Sequence, residues 1–222
     1  MIRLENITKT YPMGKRDLTV LKGVDVNIEK GELVAIMGPS GSGKSTMLNL
    51  MGCLDKPTSG KYYLEDKEVS RLSSSELAKI RAQKIGFIFQ TFNLLSRLSA
   101  LANVELGMTY AGGNDRKKAI EVLGKVGLSE RIHHRPVELS GGEQQRVAIA
   151  RAMVKTPSIF LADEPTGQLD SHSGEEVISL LTALHAEHGI TLVLVTHDMN
   201  IARHCQRIIQ LKDGEVISEE SV

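Results

Sequence analysis

Apolar and polar residues alternate where the chain begins. Ile2, Leu4 and Ile7 stand among polar neighbours, and residues 19–28 repeat the pattern with Leu21, Val24, Val26 and Ile28. A period of two marks a strand with one buried face, so the opening predicts antiparallel β-structure. The pattern then changes. Residues 33–37, 85–89, 159–162 and 191–195 are apolar runs of strand length. Helical spacing separates them. Met47, Leu48, Leu50, Met51 and Leu54 follow the first run; Ala119, Ile120, Val122, Leu123 and Val126 mark residues 115–126; Val177, Ile178, Leu181 and Leu184 mark residues 174–187. Strands without alternation, interleaved with helices, predict a mostly parallel sheet covered on both faces.

Breakers and caps divide the rest. Pro57-Thr58-Ser59-Gly60 ends the first helical stretch, and short strands are expected at 61–64 and near Val69. Serines open a helix at 74–83, and another spans 141–155 until Pro157 stops it. Residues 207–211 and 215–218, around Asp213-Gly214, read as a closing hairpin. No strand pattern occurs between 91 and 134. Residues 91–155 are therefore expected to form an inserted α-helical subdomain. Residues 1–90 and 156–222 are expected to supply the remainder of a single domain, the core plus an N-terminal antiparallel β subdomain.

Composition narrows the function classes. The 222 residues allow one large or two small domains, and 41% hydrophobic content supports a sizeable core. Lys+Arg and Asp+Glu are both 27, so the net charge is zero. Nothing steers the whole protein toward nucleic acid or an acidic membrane, and no nucleic-acid partner is expected. Cys53 and Cys205 form no metal or redox motif and are expected to be buried free thiols. The charged start Met1-Ile2-Arg3-Leu4-Glu5 is not a signal peptide. No apolar run reaches the roughly 18 residues of a membrane span. A cytosolic chain is expected, with any membrane part supplied by another polypeptide.

Three stretches carry chemistry. Gly38-Pro39-Ser40-Gly41-Ser42-Gly43-Lys44-Ser45, followed by Thr46, matches the phosphate-binding pattern G-x-x-x-x-G-K-[ST] between a strand and a helix. Backbone N–H groups around Gly41, Gly43 and Lys44 can converge on a phosphate, and the helix N-terminus adds positive potential. Lys44 would reach the β- and γ-phosphates, and the Ser45 hydroxyl would ligate Mg²⁺. The second stretch, 159–164, holds Asp163 at the C-terminal end of an apolar strand, where doubly wound sheets place ligands. Asp163 can hold Mg²⁺, leaving Glu164 to orient or deprotonate water. In the third, Ser140 can cap a helix whose start is bared by Gly141 and Gly142, with Glu143 next. That makes a second anion cradle, which invites a nucleotide bound to another copy. Taken alone, it also reads as an ordinary capped helix start.

Through the third stretch, Leu139-Ser140-Gly141-Gly142-Glu143-Gln144-Gln145-Arg146, the chain resembles the ATP-binding-cassette ATPases, and the likeness runs from its first strand to its closing hairpin. The resemblance implies a P-loop NTPase fold and a homodimer in the ATP-bound state. In such a dimer Ser140, Gly141, Gly142 and Glu143 of one copy meet ATP held by the other. It implies that Tyr11 stacks on adenine, that Gln90 contacts Mg²⁺ and the attacking water, and that His197 is a switch residue. His197 comes after an apolar strand, which puts it at the same sheet edge as Asp163. Gly167-Gln168-Leu169-Asp170 matches the family's interface loop, though the family often has a small residue where Gln168 stands. Gly52-Cys53-Leu54-Asp55-Lys56-Pro57-Thr58-Ser59-Gly60 and Phe89-Gln90-Thr91-Phe92-Asn93-Leu94-Leu95 are similar to the lipoprotein-release and macrolide-export branch. That branch implies an integral, permease-like membrane partner and a peripheral position on the inner face of the cell membrane. Phe92, Leu94, Leu95, Leu98 and Leu101 would then offer a groove to that partner, or else simply be the core of the helical insertion. An alternative is a soluble relative acting on DNA or ribosomes.

Overall fold

The structure is a computed structural model that describes residues 1–14 and 16–222. Its strands are β1 (Ile2–Met13), β2 (Arg16–Ile28), β3 (Leu33–Met37), β4 (Ser59–Leu64), β5 (Lys67–Glu68), β6 (Ile85–Ile88), β7 (Ile159–Asp163), β8 (Thr191–Val195), β9 (Arg207–Lys212) and β10 (Glu215–Ser221). Its helices are α1 (Lys44–Met51), α2 (Ser74–Lys84), α3 (Ala100–Tyr110), α4 (Arg116–Lys125), α5 (Gly141–Met153), α6 (Ser171–His188) and α7 (Met199–Ala202).

Two sheets form. The alternating N-terminal strands build an antiparallel sheet in the order β2-β1-β4-β5. The unbroken apolar strands build the second sheet, β10-β9-β3-β8-β7-β6, which is parallel except for β10. Alternation within each parallel strand sorts residues onto two faces. Leu33, Ala35, Phe160, Ala162, Leu192 and Leu194 join one core cluster, to which α3, α4, α5 and α6 contribute. Val34, Ile36, Ile159, Leu161, Val193 and Val195 join the other, packed with α1 and the antiparallel sheet. The helices of segment 91–155 therefore share their apolar core with one face of the parallel sheet.

Phe160 anchors that face. It is wholly buried, and a Cβ on the neighbouring Gly86 would lie 2.5 Å from its ring. Phe160→Ala should lower unfolding stability by about 3–5 kcal/mol, read from urea denaturation. A loss below about 1 kcal/mol would contradict this packing account.

Several elements depart from the expectations. Helix α3 lies where the sequence pattern shows only scattered apolar residues. Ser99 caps it by accepting from the Ala102 N–H at 3.2 Å. Its Asn103 is fully buried, accepts from Leu95 N–H at 2.8 Å and donates to the carbonyls of Leu95, Leu98 and Ser99. A polar residue inside an apolar helix blurs the helical period, and here it is satisfied by closing the preceding turn. The short helix α7 is likewise absent from the expectations. Helix α6 starts at Ser171 rather than 174, because Asp170 accepts from Ser173 N–H at 3.0 Å. Strands β1 and β2 run on past the alternating residues, so Tyr11 sits within β1, paired with Leu18. Both cysteines are free and buried, and burial pushes the Cys53 thiol up to about 11 and Cys205 up to about 12.

Candidate functional site

The parallel register sets the site. Ile36 and Asp163 each pair with Val195, and Ile88 pairs with Ala162. The ends of β3, β6, β7 and β8 therefore lie level. The segments that continue from β3, β7 and β8, beginning at Gly38, Glu164 and Thr196, leave the sheet at one edge, as the topology of such sheets requires.

A cleft of about 650 Å³ opens there, a size suited to a nucleotide. Gly38, Pro39, Ser40, Gly41, Gly43, Lys44, Ser45, Thr46, Glu164 and His197 line it, joined by Leu18 and Val20 of β2. The turn requires its glycines. Gly43 holds φ 104°, and a Cβ on Gly38 would lie 2.0 Å from the Leu211 carbonyl oxygen. No side chain caps α1, so its first N–H groups face the cleft with the helix dipole behind them. The Ser42 hydroxyl is buried without a hydrogen-bond partner. Lys44 is 8% exposed, and its Nζ donates to the Gly38 and Pro39 carbonyls at 2.8 and 2.9 Å.

Ser45 Oγ donates to Asp163 Oδ1 at 3.3 Å. Burial pushes the Asp163 carboxyl up, and adjacent Glu164 adds to this, while the Ser45 hydrogen bond and Lys44 oppose it. A half-buried carboxylate beside a hydroxyl suits a hard cation. Among the described residues no group of three or more His, Cys, Asp or Glu gathers as a metal cage. Mg²⁺ needs none, since it binds through one or two protein oxygens plus phosphates and water. The turn and this oxygen pair thus fit Mg²⁺ and a nucleotide polyphosphate.

Glu164 occupies a left-handed backbone conformation, φ 44°, with its N–H bonded to the Val195 carbonyl at 3.0 Å. Such strain in a non-glycine residue is held by its surroundings and clusters at functional sites. Its Oε1 lies 3.2 Å from His197 Nδ1.

Other expected residues lie outside this lining. Tyr11 donates its hydroxyl to Asp55 Oδ2 at 2.7 Å, and Lys9 Nζ sits 4.6 Å from its ring centre. Its cross-strand partner Leu18 reaches the cleft instead. Leu18 and Val20, two apart on the exposed side of a strand, are absent from the sequence expectations; an apolar pair on an outward face was the available signal. Gln90 packs against Gly167, where a Cβ would lie 2.6 Å from Gln90 Nε2. Ser140 to Glu143 form a full capping box on α5. Ser140 Oγ accepts from Glu143 N–H at 3.2 Å, and Glu143 Oε2 accepts from Ser140 N–H at 2.8 Å. That bond from Ser140, foremost, holds the Glu143 carboxyl below its usual range. This second N-terminus does not border the cleft of its own chain.

A further cleft of about 640 Å³, with Val122, Met153, Pro157 and Ile190 and a rim of lysines, has no phosphate-binding turn. A smaller groove of about 310 Å³ runs between Phe92, Leu94, Pro136, Val137, Gln144 and Gln168. Leu101, by contrast, is buried in the core.

Residues 21–167 match the ABC transporter family. An uncharacterized ABC transporter ATP-binding protein of Methanocaldococcus jannaschii, MJ0796, is 55% identical over 100% of this chain and 97% of its own length. The macrolide export ATP-binding/permease protein MacB of Pectobacterium atrosepticum is 51% identical over 99% of this chain. This chain spans 34% of that protein's length. Among solved structures, a dimeric post-hydrolysis state of MJ0796 bound to ADP and Pi superposes with a TM-score of 0.92 at 53% identity, covering 100% of this chain and 98% of that one.

Proposed function

We propose that this chain, which belongs to the ABC transporter family and is one of its ATPases, hydrolyses ATP between two copies of itself and passes the closing motion to an integral membrane subunit. The observation that carries the reading is the division of labour between two helix N-termini. The start of α1 opens into the nucleotide-sized cleft, whereas the capped start of α5 opens elsewhere. A second copy supplies the second N-terminus to each cleft. The dimeric ADP- and Pi-bound relative supports that arrangement.

In this reading the 41–46 amides and Lys44 hold the β- and γ-phosphates. Lys44 exchanges two carbonyl oxygens for phosphate oxygens and stays hydrogen-bonded throughout. Tyr11 takes the adenine from the strand that faces Leu18. Ser45, Asp163 and Gln90 would hold Mg²⁺, which would neutralise charge developing on the phosphate oxygens. Glu164 accepts the proton of the attacking water, Gln90 orients that water, and His197 holds the γ-phosphate. Ser140, Gly141, Gly142 and Glu143 of the second copy close the site. Positioning and electrostatics supply most of the rate.

The groove beside Gln90 supports the membrane coupling. Phe92 and Leu94 are half-buried and Val137 is 80% exposed, so an apolar surface adjoins the hydrolytic residues. No described helix is long and apolar enough to cross a membrane. The membrane partner thus anchors the chain peripherally, on the inner face, in transport or in mechanical signalling across the membrane. The test is affinity capture from detergent-solubilised membranes. An integral membrane protein should co-purify with the wild type and be lost with Phe92→Asp, while basal ATPase activity remains. Capture of nucleic acid alone would overturn the reading.

A further inference from the structure

Helix α5 carries more than the Ser140 capping box. Gln145, one turn inside it, is fully buried, and its Nε2 donates to the Phe89 carbonyl at 3.2 Å and the Pro165 carbonyl at 2.7 Å. Both partners are acceptors, so the amide nitrogen must face them. Phe89 directly precedes Gln90, and Pro165 directly follows Glu164. Both carbonyls lie beyond the ends of their strands, since β6 stops at Ile88 and β7 at Asp163. Further along α5, Arg151 donates to the carbonyls of Phe92 and Asn93. The backbone around Gln90 is thus held to one helix on both sides. Gly167 completes the fit, since its missing side chain leaves room for the Gln90 amide.

The other end of the Gln145 amide sharpens the point. Its Oε1 is buried with no hydrogen-bond partner. An orphaned buried acceptor is unfavourable, and an apolar side chain would avoid it. In return the amide provides its two N–H donations. It touches neither the cleft lining nor the capping box, and neither phosphate binding nor proton transfer uses it.

We propose that Gln145 is a positioning residue for hydrolysis. Through Phe89 and Pro165 it fixes the backbone that carries Gln90, beside Gly167, and Glu164, at the cleft. It thereby links the N-terminus of α5, which meets the partner's nucleotide, to the hydrolytic residues of its own chain. When a partner's ATP draws on Ser140 and Gly142, the same helix carries the displacement to both carbonyls. The inference rests on the composite dimer site of the proposed function.

The experiment uses Gln145→Leu and Gln145→Asn. The first removes both donors, and the second keeps the amide on a side chain one methylene too short to span both carbonyls. Mg-ATP affinity of the single chain should stay within about twofold, because the P-loop is untouched, while kcat at saturating ATP falls about 10- to 100-fold. In the Glu164→Gln background, Gln145→Leu should still give an ATP-dependent dimer on gel filtration. If Gln145→Leu does not fold, Gln145→Asn carries the same comparison. Wild-type kcat in the folded variants overturns the proposal, and so does a parallel loss of affinity and kcat. Loss of the dimer in the double variant alone also overturns it, because Gln145 would then serve the capping-box end. Should Glu164→Gln by itself fail to dimerise with ATP, the composite site is what fails, and Gln145 is judged on the kcat and affinity comparison.

Discussion

Glu164→Gln stops turnover while leaving ATP bound: kcat falls about 10²- to 10⁴-fold, and the variant runs as a dimer on gel filtration in Mg²⁺ and ATP. The expectation comes from the shape of the site. Glu164 lines the cleft with Lys44 and Ser45, fixed by its left-handed backbone and its bond to Val195. Glutamine has the same length and can still meet His197 Nδ1, so the cleft keeps its form. The substitution removes the carboxylate that accepts a proton from water. With binding intact and hydrolysis blocked, ATP stays between the two copies, and the dimer that hydrolysis normally dissolves accumulates. Wild-type turnover in this variant would remove Glu164 from the mechanism.

Gly142→Asp produces the complementary defect. Gly142 is the second residue of α5, and a Cβ there would meet Ser173 of α6 at 3.2 Å, a tight contact that a small shift of the serine relieves. A carboxylate there favours the helix itself, because negative charge at an N-terminus is stabilising. Folding should therefore survive. The same charge opposes a triphosphate brought by a second copy. Mg-ATP binding to one chain should be unchanged, since Gly142 does not border its own cleft. ATP-dependent dimerisation should vanish, and hydrolysis should fall about 10²- to 10³-fold, the scale of a lost anion-binding contact in a transition state. Loss of nucleotide binding by the single chain would instead mean that α5 serves its own cleft.

Some of this arrangement is legible in the sequence, for reasons that can be named. The apolar run before Gly38 and the helical spacing after Ser45 place the P-loop between strand and helix, which is where β3 and α1 put it. The apolar runs at 159–162 and 191–195 are adjacent parallel strands, β7 and β8, whose ends bring Asp163, Glu164 and His197 to one edge. Local pattern suffices there because a strand's end is set by where its apolar run stops. Helix α3 is hidden, since Asn103 interrupts its apolar face and is satisfied only by the folded 95–99 turn. Leu18 and Val20 escape a sequence reading because an exposed apolar pair gains meaning only when the opposite sheet edge is known. The ties from Gln145 and Arg151 are side-chain to backbone bonds across distances of 20 to 59 residues in sequence, and no local periodicity encodes them. The unusual φ of Glu164 is likewise a product of tertiary contacts.

The central claim is that the P-loop of one copy is completed by the α5 N-terminus of another. Mixing two inactive variants tests it most directly. Lys44→Ala disables the P-loop half-site, and Gly142→Asp disables the α5 half-site. Each alone should show almost no ATPase activity. Mixed in equal amounts, they form dimers in which one site combines the intact Lys44 of one chain with the intact Gly142 of the other. The account predicts that ATPase activity returns on mixing and grows with total protein concentration. A mixture as inactive as its two components would contradict it, because both halves of the site would then have to belong to one chain.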